Sequence, residues 1–151
     1  MDWERLIKRY VWDDQKTPYF VPVGRLTRSQ ADHEFLAFNS FMTLIFGVMA
    51  VLSLNETLPF GRSEVVSVFC ASIAIGAIVL ALTKHVFAAC YMMAAPLGVL
   101  GYLLFQGFPP GTPTIDKIFM VVIALVLLRY ILRVVSIAKA YPTLRERQED
   151  D

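Results

Sequence analysis

With 151 residues, 56% of them hydrophobic and only 18% charged, the chain holds too little polar material for a soluble domain. Its mean hydropathy of +0.55 agrees, and the composition reads as one membrane domain. A formal net charge of +1, with 14 Lys and Arg spread along the chain, excludes a nucleic-acid groove.

The first 27 residues form an interfacial segment. Trp3, Leu6, Ile7 and Tyr10 recur at helical spacing, with Glu4, Arg5, Lys8 and Arg9 on the other faces. This is the pattern of a short amphipathic helix lying on a membrane surface or docking on a partner protein. Trp12 and Asp13-Asp14 then lead into Thr17-Pro18-Tyr19-Phe20-Val21-Pro22-Val23-Gly24, where two prolines impose extended backbone. The stretch is too apolar for a free linker, so Trp3, Tyr10 and Trp12 are expected to contact lipid or a partner subunit. The acidic residues Asp2, Glu4, Asp13, Asp14, Asp32 and Glu34 precede the first apolar run. They argue against a cleavable signal peptide and against a mitochondrial presequence, leaving a bacterial inner membrane as the expected location.

Four apolar runs follow, at 35–54, 65–82, 86–105 and 118–137. Each meets or approaches the ~20 residues that span a hydrocarbon core at ~1.5 Å per residue. The expected fold is therefore an all-α integral membrane protein with four transmembrane helices, at approximately 28–54, 64–83, 85–105 and 115–139. These form a four-helix domain over 28–140, followed by a charged tail over 141–151. Thr27-Arg28-Ser29-Gln30 matches a capping box and places the first helix start near Arg28. Thr114 is the expected cap of the fourth helix, after the turn formers of Gly107-Phe108-Pro109-Pro110-Gly111.

Cations set the orientation. Arg5, Lys8, Arg9, Lys16, Arg25 and Arg28 precede the first span, and Arg133, Lys139, Arg145 and Arg147 close the last, whereas the first and third loops hold Arg62 and Lys117. Both termini are thus expected in the cytoplasm. The turn at Thr83-Lys84-His85 falls on the same side and makes spans two and three an antiparallel hairpin. Small residues at four-residue spacing, Ser67/Ala71, Ser72/Gly76, Ala77/Ala81 and Ala94/Gly98, mark packing seams, with the hairpin partner having first claim on them. Pro96 cannot bond the Met92 carbonyl, which predicts a kink in the third span.

Groups that carry chemistry are sparse. Cys70 and Cys90 fall about 10 Å apart along the membrane normal in that hairpin, too far for a disulfide. His33 and His85 lie at the cytoplasmic boundary, too shallow to hold haem within the bundle. No phosphate loop, nucleophile elbow or zinc-protease pair occurs, so no enzyme activity, cofactor or metal is expected. No Asp or Glu lies in the interior of any span, which disfavours an ion-coupled pump.

Arg129 follows an uninterrupted apolar run and lies past the midplane on the cytoplasmic side, with Arg133 one turn further. A cation at mid-helix costs about 2.5–3.5 kcal/mol on insertion scales, so a compensating group is expected. Headgroups serve Arg133 by snorkelling; for Arg129 the candidates are an anionic lipid, a partner subunit's carboxylate, or Asp32, Glu34 and Asn39 of this chain.

The composite reading is a non-catalytic accessory or assembly subunit of a larger membrane complex, whose partners are membrane lipids and other integral membrane subunits. A small homo-oligomeric carrier or channel for a neutral solute is the alternative, motivated by Pro96 and the small-residue stripes. A membrane-embedded metal or redox protein using the two histidines stands third.

Overall fold

The structure is a computed structural model that describes residues 21–54 and 63–144. The described residues fold into helices joined by short turns, with no strand among them. After a 3-10 turn at Val23–Arg25 come α1 (Arg28–Leu52), α2 (Glu64–Thr83), α3 (Val86–Tyr91), α4 (Ala94–Gln106) and α5 (Thr114–Ala140), with a second 3-10 turn at Tyr141–Thr143. Counting α3 and α4 as one segment over Val86–Gln106, four segments are long and apolar enough to cross a membrane.

The helix starts have local causes. Thr27 and Gln30 form the reciprocal box that opens α1: Gln30 N–H donates to Thr27 Oγ1 at 3.3 Å, and Thr27 N–H donates to Gln30 Oε1 at 3.0 Å. Ser63 opens α2 by accepting from Val66 N–H at 3.3 Å. At the start of α5 the cap is Pro113, and Thr114 is the first helical residue. Proline can lead into a helix there because an amide at that position has no intrahelical acceptor to lose.

The turn between α2 and α3 is compressed into Lys84, a non-glycine residue at φ 52°. Its N–H closes α2 on the Leu80 carbonyl at 2.8 Å, the left-handed helix ending more often made by glycine. His85 then caps α3, accepting from Phe87 N–H through Nδ1 at 3.4 Å.

The third span is interrupted at Met92-Met93. Pro96 has no amide hydrogen to offer the Met92 carbonyl, which instead accepts from Ala95 N–H at 3.1 Å, while Met93 N–H turns to the Cys90 carbonyl at 3.0 Å. These three-residue bonds tighten the backbone locally and separate α3 from α4.

The most extensive helix pairing is α1 with α2, exceeding that of the α2–α3 hairpin. Ser67, Cys70, Ala74 and Ala77 form a buried seam along α2. At its far end Ser67 Oγ donates to the Ala50 carbonyl of α1 at 2.8 Å, a bond possible only where two helix backbones approach closely. The small residues therefore serve the first pair of spans as well as the hairpin. Against α3 and α4, α2 packs through aromatic rings instead: a Cβ on Gly76 would lie 2.7 Å from Tyr91 Cδ1, and one on Gly98 would meet the Phe69 ring.

Met42, Ile73, Leu80, Met92, Ile131 and Ile137 fill the centre of the bundle. Most other large apolar side chains point outward, Phe105 and Leu104 at 90% and 83% exposure. This is the distribution expected when the surrounding solvent is hydrocarbon.

Candidate functional site

One end of the bundle carries most of the described charge. The start of α1, the α2–α3 turn and the end of α5 meet there, and their ionisable groups sort into two networks.

In the first, Glu34 of α1 is 1% exposed and lies against Arg133 of α5. Arg133 Nε donates to Glu34 Oε1 at 2.7 Å and a terminal nitrogen donates to Oε2 at 3.1 Å, a two-point contact between guanidinium and carboxylate. Phe38 and Tyr130 follow one turn deeper on the same two helices, with ring centroids 5.7 Å apart.

In the second, Asp32 of α1, Lys84 of the turn and Tyr141 beyond α5 join around one carboxylate oxygen. Lys84 Nζ donates to Asp32 Oδ1 and, at 2.9 Å, to the Tyr141 hydroxyl, which itself donates to Asp32 Oδ1 at 2.7 Å. The Tyr141 ring also receives Lys84 Nζ at 4.9 Å and the Arg28 guanidinium at 5.3 Å, both within cation–π range. The bond to Asp32, then that to Tyr141, holds the Lys84 ammonium above its ordinary pKa, partly opposed by burial. Together the two networks tie three chain segments at one level.

The sequence-derived candidates divide accordingly. Asp32, Glu34 and Arg133 are brought together at this end, Glu34 with Arg133 and Asp32 with Lys84. Arg129 is exposed on the flank of α5 and makes no ion pair with a described residue. Arg133, one turn nearer the charged end, takes the internal carboxylate. Asn39 is 3% exposed and both its amide atoms lack a hydrogen-bond partner. Trp3, Tyr10 and Trp12 lie outside the described residues. Pro96 is buried in the first turn of α4, just past the interruption.

Lys84 and Tyr141 are the residues that sequence reasoning missed. Their signal was faint: a lysine in a tight turn and a tyrosine just after the last span, both facing the acidic start of α1. His33 Nδ1 lies 2.7 Å from the Ser29 carbonyl of its own helix, and His85 serves as a cap. Among the described residues no three His, Cys, Asp or Glu side chains gather to hold a metal, and both cysteines are free thiols.

Two grooves run along the flanks of the bundle. One of about 830 Å³ lies between α1 and α5, lined by Phe38, Phe41, Ile45, Phe119, Val122 and Val126 among others. Another of about 540 Å³ lies between α2 and α3, where the Tyr91 hydroxyl donates to Ser72 Oγ at 2.9 Å. No protein-family model, curated protein or solved structure matches this chain.

Proposed function

We propose that this chain is a non-catalytic membrane subunit that packs, in the plane of the membrane, against a larger membrane protein complex. The observation that carries this reading is the disposition of its polar groups. Glu34, Arg133, Asp32, Lys84 and Tyr141 satisfy one another and fix the bundle's end, while both grooves open between neighbouring helices along its flanks. Such a molecule is braced internally and offers its surface sideways.

The side facing a partner is best sought on α4 and on the flank of α5 away from the α1 groove. Only 22% of the most apolar window is buried in each of the last two spans, against 33% in each of the first two. The membrane is read as a bacterial inner membrane with both termini cytoplasmic. The charged end carries Arg25, Arg28, Lys84 and Lys139, and the opposite end Lys117, the asymmetry the positive-inside rule associates with a cytoplasmic face.

Gentle detergent extraction of the tagged chain from its native membrane, with mass spectrometry of what elutes beside it, tests the reading. Stoichiometric larger membrane subunits are expected. A clean oligomer of this chain alone, with solute flux after reconstitution, overturns it in favour of a carrier.

A further inference from the structure

We infer that the groove between α1 and α5 is a binding site for one anionic phospholipid, with an acyl chain lying along the groove and the phosphate held by Arg129. This inference stands independently of the packing role.

The groove is closed at one end. The Glu34–Arg133 pair and the Phe38–Tyr130 contact bridge α1 and α5 at the charged end. The groove starts at this contact, whose two rings belong to its lining, and runs between Ala37 and Phe46 on one wall and between Phe119 and Tyr130 on the other. At the rise of an α-helix those walls are about 13–17 Å long. Half of the hydrocarbon core is about 15 Å, so the groove is about as long as one acyl layer is deep. A partner's spanning helix would need a seat running through both leaflets. An acyl chain needs a trough the depth of one, bounded by apolar and aromatic walls, and this groove supplies it.

The headgroup is specified by charge. Val122, Val126, Arg129 and Arg133 follow one another at helical spacing along a single ridge of α5. Val122 and Val126 form part of the groove wall and Arg133 is engaged by Glu34, so Arg129, next in sequence to the lining residue Tyr130, is the second cation on that ridge at the groove's charged end. It sits about 6 Å deeper in the membrane than Arg133. Cα–Cβ bonds in α5 tilt back toward Thr114, away from the charged end, so reaching the headgroup layer alone works against the helix's own geometry. An anionic headgroup drawn to the rim, with its chain filling the groove beneath, neutralises the guanidinium and covers the exposed Phe41, Ile45 and Val126 together.

The test reconstitutes the full chain in vesicles of equal phosphatidylglycerol and phosphatidylcholine, then re-extracts it in mild detergent and counts retained lipids by native mass spectrometry. The wild-type chain is expected to retain phosphatidylglycerol about fivefold over phosphatidylcholine, the preference one cation confers near an anionic surface. Arg129→Leu should abolish the preference and Arg129→Lys should keep it. Val126→Trp, which fills the groove and leaves the cation, should reduce retention of both lipids. Arg129→Leu removes a membrane-insertion cost, so loss of the fold is not the expected cause of its effect; an unchanged melting temperature checks this. Equal retention of the two lipids by the wild-type chain, or an undiminished preference in Arg129→Leu, overturns the inference. So does a photo-crosslinker at position 126 that captures a protein rather than lipid in native membranes.

Discussion

Glu34 and Arg133 stand 99 residues apart in the chain and meet through two hydrogen bonds, joining the first span to the last where their helix backbones are otherwise poorly packed. With Glu34 at 1% exposure, the pair holds together what side-chain packing leaves open. Replacing Glu34 with Gln leaves the guanidinium without its counter-charge and is expected to destabilise the bundle by about 3–5 kcal/mol. The double replacement Glu34→Leu/Arg133→Leu should recover most of that loss, because two well-packed apolar groups carry no desolvation penalty. Thermal unfolding in detergent reads both; a Glu34→Gln chain as stable as the parent would show that the pair contributes nothing.

Lys84 gives a pH signature. Its folded-state pKa is raised by Asp32 and then Tyr141, so from neutral pH up to the ordinary lysine value of 10.5 the pairing contributes in full, and it fades as pH climbs through the raised value. The melting temperatures of wild type and Lys84→Met should therefore differ by a constant amount from neutrality to about pH 10 and converge above it. Convergence already near neutral pH would contradict the assigned network. Lys84→Gly separates backbone from side chain, since it relieves the left-handed φ while losing the ammonium.

Gly98 faces the Phe69 ring so closely that a methyl group there must displace it. Gly98→Ala is expected to cost about 1–3 kcal/mol by overpacking. Phe69→Leu, which shortens the obstructing side chain, should return part of that loss when combined with Gly98→Ala. If the two substitutions were strictly additive, the ring would not be the obstacle.

Among the described residues, Asn39 is the buried polar side chain whose amide finds no partner. An unsatisfied buried amide costs about 1–3 kcal/mol, so Asn39→Leu should raise the melting temperature. A drop would mean that the amide is engaged in the membrane by a group this structure does not contain.

The four helices were legible because their signals are local: apolar length sets the spans, and Thr27-Arg28-Ser29-Gln30 carries its own capping chemistry. Which residues pair across the bundle was not. Arg129 is the deeper cation, yet which arginine meets Glu34 depends on the axial register of α5 against α1, which brings Arg133 level with Glu34 and leaves Arg129 one turn deeper. The Tyr141 phenol at Asp32 has the same character, since it depends on α5 ending level with the start of α1. The α1–α2 seam was hidden for another reason: a short turn guarantees that α2 and α3 are neighbours, but leaves open which helix receives Ser67, Cys70, Ala74 and Ala77.

The two ion pairs differ in the length of chain they close, 52 residues for Asp32–Lys84 and 99 for Glu34–Arg133. During synthesis the shorter one becomes available once the first two spans have emerged, and can latch them as a hairpin. Glu34 must wait longer: at about 5–20 residues per second, its guanidinium arrives some 5–20 seconds after it does. Through that interval the carboxylate stands at the membrane boundary without its counter-charge. The last helix is then more than a fourth span, because its insertion neutralises an acid that the first helix has carried since its own synthesis.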